Sequence, residues 1–182
     1  GRSLTFDMSA DGYGRGEGAG AATLRKVHID GLSRGLLVGA AVNQDGLSST
    51  MTAPNGPSQQ GVIRLALREA GLMPSQVSHA ECHGTGTPLG DPIELSALEA
   101  VNIGREFPLA LGAGKANCGH LEGAAASTGL LKTLALLQLD TAFSNLHLRS
   151  LNPHVASTTK LPKNILTEYY PLRGSKNILT EY

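Results

Sequence analysis

Val77-Ser78-His79-Ala80-Glu81-Cys82-His83-Gly84-Thr85-Gly86-Thr87-Pro88-Leu89-Gly90-Asp91-Pro92-Ile93-Glu94 changes character twice within one short stretch. Val77 to Cys82 has the length and apolarity of a buried strand, and the glycine and threonine residues that follow interrupt regular structure. Asp91-Pro92 then opens a helix that carries Ile93, Leu95, Leu98 and Val101 at helical spacing. Strand, tight loop and helix in that order predict a layered α/β body. They also place His83 where a strand ends, the position at which catalytic groups gather in such folds. The glycines let a ligand approach the backbone, while Thr85 and Thr87 offer hydroxyls that can hold an amide or a carbonyl.

The arrangement recurs downstream. Leu109 to Ala113 reads as a second strand, Lys115-Ala116-Asn117-Cys118-Gly119-His120 follows it, and a long helix is expected from about Leu121 to Leu139. That helix has little polar face, so it is expected to be buried on most sides, sandwiched between sheets, with one flank losing cover if part of the fold lies elsewhere. His120 is expected at its N-terminus, where the positive end of the dipole disfavours imidazolium. Neutral imidazoles donating N–H groups to a developing oxyanion stabilise enolates, so His83 and His120 are expected to face one cavity within about 10 Å. Lys115 would be kept charged by Glu94 or Asp91. On spacing alone, the same residues also suit turn histidines and a surface lysine.

Two more short apolar runs, Ala19 to Val27 and Leu36 to Val42, are expected as strands, and a helix is expected from Pro57, closed by Gly71 and Pro74. The main body spans residues 1–155. Residues 156–182 read as an irregular tail in which Lys163-Asn164-Ile165-Leu166-Thr167-Glu168-Tyr169 recurs as Lys176-Asn177-Ile178-Leu179-Thr180-Glu181-Tyr182. Two copies are too few for a solenoid, so a local duplication or an artefact is expected.

Bulk properties exclude several classes of function. Fifteen basic and fifteen acidic residues cancel, which leaves no field to hold nucleic acid or an anionic membrane surface. No apolar run is long enough to span a bilayer. Two cysteines, Cys82 and Cys118, make no disulfide framework, and a reducing, cytoplasmic setting is favoured. The opening Gly1-Arg2-Ser3-Leu4-Thr5-Phe6 has no initiator Met, charged n-region or apolar h-region. No signal peptide is read, and the chain is expected to be part of something longer.

Other motifs fail on chemistry. Gly31-Leu32-Ser33-Arg34-Gly35 fits the nucleophile-elbow spacing but precedes a strand instead of a helix, so a hairpin turn is preferred. Gly112-Ala113-Gly114-Lys115-Ala116 lacks the first phosphate-loop glycine, since position 109 is Leu, and the hydroxyl for magnesium. Gly14-Arg15-Gly16-Glu17-Gly18 has no strand before it and reads as a structural turn. Zinc binding by His79, Cys82, His83, Cys118 and His120 is disfavoured because neighbouring strand residues point to opposite faces. Both cysteines read as small buried hydrophobes.

Taken together, Glu81 to Glu94 resembles the histidine motif of β-ketoacyl synthases, and Lys115 to Ala125 resembles their lysine-histidine motif. Asp11-Gly12-Tyr13 with Gly16-Glu17-Gly18, Val42 to Gly46, Thr52 to Gln60, Asn145 to Leu148 and Leu151 to His154 extend the likeness over about Phe6 to Val155. It is nearest to ketosynthase domains of type I polyketide synthases. The resemblance implies the C-terminal half of a thiolase-like fold, a layered mixed sheet with a buried helix. It implies an acyltransferase of polyketide or fatty acid biosynthesis that condenses a malonyl-type thioester with an enzyme-bound acyl chain. His83 and His120 would be the oxyanion-side histidines, supported by Lys115, which pairs with Glu94, and Thr85 and Thr87 would meet the phosphopantetheine arm of an acyl carrier protein.

By the same resemblance no cofactor is bound directly. The implied partners are the acyl carrier protein and the N-terminal half of the domain, with a homodimer in the full-length enzyme. No segment resembles the family's nucleophile motif, so the chain is expected to be inactive alone. Ala116 and Cys118 replace the usual Ser and Ile of the lysine motif. The family's closing glycine-rich strand with its gating Phe is not matched beyond Val155. The alternative is a non-catalytic carrier-protein-binding module derived from a ketosynthase.

Overall fold

The computed structural model describes residues 2–26, 33–46, 54–158, 161, 163–172 and 177–180. In chain order the elements are α1 (Gly56–Ala70), β1 (Val77–Glu81), α2 (Gly90–Val101), β2 (Leu109–Gly112), α3 (Lys115–Cys118), α4 (Ala125–Leu139), β3 (Thr141–Ala142), α5 (Pro153–Thr158), β4 (Lys163–Ile165), β5 (Tyr170–Pro171) and β6 (Asn177–Thr180). The main sheet has the order β4-β2-β1-β6, and every pairing in it is parallel. A small antiparallel pair joins β3 to β5.

Alternation along the strands assigns the two faces of the sheet. Ala80, Leu111, Ile165 and Leu179 lie in one register row and pack with Ile63 and Leu67 of α1, Leu95 and Leu98 of α2, and Val155 of α5. The neighbouring row holds Asn164, Ala110, His79 and Ile178, and its apolar members Ala110 and Ile178 pack with Leu136 of α4, Ala142, Leu166 and Leu172. The result is three layers, with α1, α2 and α5 on one face and α4 on the other.

Local sequence explains the firmest elements. Asn55 caps α1 by accepting the Ser58 N–H at 3.1 Å, Pro57 sits in the first turn, and Gly71 ends the helix at φ 65. The expected strands over Val77 to Cys82 and Leu109 to Ala113 form within those bounds. Cys82 N–H extends the ladder by donating to Gly112 O at 2.7 Å.

Four expectations are corrected. Among the described residues, Ala19 to Val27 and Leu36 to Val42 form no strands; Val27 itself lies outside them, as do Gly31 and Leu32 of the elbow-like motif. No described strand lies beside either run, so neither makes a ladder, and the hairpin turn expected at Gly31 to Gly35 lies partly outside the described residues. The second run and the residue after it instead bond to α1: Ala40 N–H donates to Glu69 Oε2 at 2.7 Å, and Asn43 Nδ2 donates to Ser58 O at 2.7 Å. Leu36, Leu37 and Val38 stay exposed.

The third helix begins at Ala125, after a 3-10 turn over Glu122–Ala124, and it is not buried on most sides. Gly129, Thr133 and Leu136 are buried in it, while Leu131 and Leu139 are exposed. The main sheet covers one stripe of the helix, and the second sheet among the described residues, the short antiparallel pair of β3 and β5, is too small to complete the sandwich. The tail is not irregular throughout. The two copies of the repeated heptapeptide supply β4 and β6, the opposite edges of the main sheet, although Lys176, Glu181 and Tyr182 lie outside the described residues. Finally, Cys82 is buried as expected, but Cys118 is exposed.

Among the described residues no helix is long and apolar enough to cross a membrane. The far end of β2 depends on one side chain. Asn145 accepts the Ala113 N–H at 2.9 Å and donates to Leu111 O and Leu166 O, both at 3.2 Å. Asn145→Ala would leave buried backbone groups without partners, and should lower stability in urea titration by about 2–4 kcal/mol. A loss below about 0.5 kcal/mol, the scale of a neutral surface change, would contradict this role.

Candidate active site

The loop after β1 carries glycines where another residue would not fit. Gly84 has φ +49, and a Cβ there would come within 2.5 Å of Ala113 Cβ and 2.8 Å of Thr5 Cγ2. Such a loop cannot satisfy its own backbone, and α2 does it instead. Glu94 accepts the His83 N–H at 2.5 Å and the Gly84 N–H at 2.9 Å, one on each carboxylate oxygen. Asp91, one turn earlier, accepts the Gly86 N–H at 3.0 Å and the Phe6 N–H at 2.7 Å. Both carboxylates are buried, and burial raises the Asp91 pKa against the pull of these amides. Thr5 Oγ1 donates to Gly84 O at 2.6 Å.

Thus pinned, His83 meets two partners from the second motif. Its ring lies 5.7 Å from that of His120, edge to face, inside the expected separation. Its Nδ1 lies 3.4 Å from Lys115 Nζ. An ammonium has only hydrogens to give, so the contact assigns Nδ1 as acceptor and leaves the His83 proton on Nε2. His120 reaches the same tautomer by another route, because Glu122 N–H donates to its Nδ1 at 2.9 Å. Both rings therefore present Nε2–H.

Their charge state is fixed by surroundings. Burial of the ring's inner side, then the Lys115 ammonium, then His120, hold the His83 pKa down at about 4, even though the residue keeps an open edge to solvent. Burial and then Lys115 lower the His120 pKa as well. The helix dipole expected to do this is too far away, since α4 starts five residues later. Lys115 is only 4% exposed. Burial lowers its pKa, and Glu94 is the strongest influence in the opposite direction, with Glu81 next. Glu94 thus supports the Lys115 charge, and its carboxylate also takes the backbone amides of His83 and Gly84.

A cleft of about 350 Å³ opens beside α3, lined by Asn117, Cys118, Thr128, Phe143, Ser144 and Tyr169 among others, and neither histidine lines it. Thr85 and Thr87 sit in the pinned loop with their hydroxyl oxygens 3.4 Å apart, and Thr87 Oγ1 accepts the Gly90 N–H at the start of α2. Cys118 is no activated thiol: the residue is exposed, yet partial burial of its thiol against Gly114 O raises its pKa.

Sequence reasoning misses three residues at the site. Asp91 reads from sequence only as a partner for Lys115. Tyr13 lies 4.8 Å from the His120 ring. The segment around it holds His120 by backbone bonds, His120 N–H to Gly14 O at 2.7 Å and Gly16 N–H to His120 O at 3.0 Å. The glycines allow this, for a Cβ on Gly16 would meet Cys118 O at 2.5 Å. The third, Glu81, accepts the Gly114 N–H at 2.5 Å immediately before Lys115. His79 and Glu81 at i and i+2 on a strand are the available signal.

These assignments make the titration of His83 diagnostic. In an NMR titration His83 should inflect near pH 4. Lys115→Met should raise that value while leaving it below the ordinary ~6.5, because burial is the larger cause. The unfolded chain binds the proton at the higher pH, so stability should fall as pH drops from about 6.5 to about 4. An inflection at the ordinary value in the folded protein would contradict the geometry.

Known proteins share this arrangement of chain. A family model described as "Beta-ketoacyl synthase, C-terminal domain" matches residues 34–149. The chain is 44% identical over 160 residues to polyketide synthase GfsA of Streptomyces halstedii, a match covering 85% of this chain and 2% of that protein. It is 42% identical over 177 residues to one component of the phenolphthiocerol/phthiocerol polyketide synthase of Mycobacterium tuberculosis, covering 92% of this chain and 9% of that one. Among solved structures, the oxazolomycin ketosynthase domain OzmH KS7 of Streptomyces albus JA3453 superposes with a TM-score of 0.86 at 31% identity, over 94% of this chain and 31% of that chain. The ketosynthase from module 6 of the bacillaene synthase of Bacillus subtilis 168 gives 0.81 at 28%, over 96% and 32%. The chain thus spans about a third of those ketosynthases and under a tenth of those synthases. It belongs to the β-ketoacyl synthase family, whose thiolase-like C-terminal domain it carries.

Proposed function

We propose that His83 and His120 form the decarboxylation and oxyanion site of a ketosynthase that builds carbon–carbon bonds in polyketide synthesis. The observation that carries this reading is the pairing of two neutral imidazoles, 5.7 Å apart, each with Nε2–H left to donate. A malonyl-type thioester placed between them loses its carboxylate as carbon dioxide. The electrons of the broken bond pass to the α-carbon and the thioester oxygen, and the two N–H groups stabilise the resulting enolate oxygen. The rings work as neutral donors, because burial and the Lys115 charge disfavour imidazolium at His83.

The enolate carbon then attacks the thioester carbonyl of an acyl chain held on a cysteine, and the thiolate leaves. That cysteine comes from residues outside these 182. Cys82 is buried and Cys118 has a raised pKa, so neither suits the task. The extender unit would arrive on the phosphopantetheine arm of an acyl carrier protein. Thr85 and Thr87 lie in the loop beside His83, and each hydroxyl retains hydrogen-bonding capacity for an amide of that arm. A binding module without chemistry would have no use for two imidazoles held in one tautomer, which favours the enzyme reading over the carrier-binding one.

The two chemical jobs separate experimentally. The chain alone should not be acylated by an acyl thioester, and addition of the complementary half should restore labelling on that half only. In the reconstituted enzyme His83→Ala or His120→Ala should leave acylation standing and slow decarboxylation by about a hundredfold or more, the usual effect of losing one oxyanion donor. Acylation of Cys82 or Cys118 with turnover of a malonyl thioester would overturn the assignment.

A further inference from the structure

Behind the site, on the α4 face of the sheet, lies a buried polar cluster that the chemistry above does not use. Glu81 and His79 are each 0% exposed. Glu81 Oε2 accepts from Lys132 Nζ of α4 at 2.7 Å and lies 3.5 Å from His79 Nε2. Lys132 and His79 hold the Glu81 carboxyl below its usual range, overcoming burial, while burial keeps His79 neutral. Gly112 makes the room, since a Cβ there would fall 3.1 Å from His79 Cε1 and 3.2 Å from Lys132 Nζ. A buried ion pair of this kind adds little stability compared with apolar residues of the same volume. Stability alone does not account for it.

The other oxygen of Glu81 supplies a different role. It accepts the N–H of Gly114 at 2.5 Å, and Gly114 O in turn accepts the N–H groups of Asn117 at 2.9 Å and Cys118 at 3.1 Å. The whole of α3 is a single turn, too short to hold itself. Its first residue, Lys115, is the one that reaches His83. We propose that Glu81, matched in charge by Lys132, is a positioning residue: by holding the Gly114 N–H it fixes the turn that carries Lys115 to His83. The carboxylate touches neither substrate nor histidine of the site. It sets where the ammonium stands, and through it the protonation of His83.

This inference rests on the site described above, but its test is independent of condensation. Replacing both charges together, Glu81→Leu with Lys132→Met, removes the acceptor without leaving a buried charge unpaired. His83 in this variant should titrate about one pKa unit or more higher, as expected when a cation moves away from an imidazole. Glu81→Gln with Lys132→Met also removes both charges but keeps a carbonyl for the Gly114 N–H, and should leave the His83 titration within a few tenths of a unit of the parent. In the unaltered protein the Gly114 amide should exchange with solvent at least about a hundredfold more slowly than an open loop amide. An unchanged His83 titration in a folded Leu/Met variant, equal shifts in both double variants, or a Gly114 amide exchanging at the open-loop rate would each overturn the proposal, whether or not the rings hold an enolate oxygen.

Discussion

Two buried carboxylates on the first turns of α2, Asp91 and Glu94, accept the backbone amides of the loop that follows β1, and the site depends on that grip. A loop of glycines and threonines has no ladder or helix to absorb its N–H groups, and a buried amide without a partner is costly. Carboxylates at a helix N-terminus are well suited to the task, because the dipole there favours negative charge and hydrogen bonds to ionised acceptors are strong. The grip orders the backbone from His83 to Gly86 and reaches back to Phe6. Phe6 takes a left-handed φ of 62 while wholly buried, a conformation the Asp91 bond and the Asn152 N–H donated to its carbonyl hold in place.

The second half of the site is hung differently. His120 is carried by backbone bonds to Gly14 and Gly16, and Lys115 by a single turn anchored at Gly114. Lys115 then does two things. Its ammonium lowers the pKa of both imidazoles, and its hydrogen bond directs the His83 proton to Nε2. Glu94 links the halves, since the same carboxylate that holds the His83 backbone favours the charge on Lys115.

Much of this is legible in the sequence because it is local. The strand, loop and helix from Val77 to Val101, the strand before Lys115 and the helix after Pro57 follow from apolar spacing and turn chemistry. Strands that need distant neighbours are not legible: Leu36 to Val42 has strand composition, yet pairing is a property of what lies alongside, and no described strand does. Conversely, the repeated heptapeptide reads as irregular until the open edges of β1 and β2 are known. The roles of Glu94, Asp91 and Glu81 toward backbone amides are hidden for the same reason, since a carboxylate's partners depend on the fold. The burial of α4 is overestimated because an apolar helix reports what cover it could use, not what cover the chain supplies.

The proposed chemistry needs two uncharged rings that each keep the proton on Nε2. Nitrogen-15 NMR of histidine-labelled protein at pH 7 reports the protonation of each ring nitrogen directly. The structure predicts that His83 and His120 both carry their single proton on Nε2, with Nδ1 bare and accepting from Lys115 and from the Glu122 amide. A proton on Nδ1 of either ring, or on both nitrogens of His83, would contradict it.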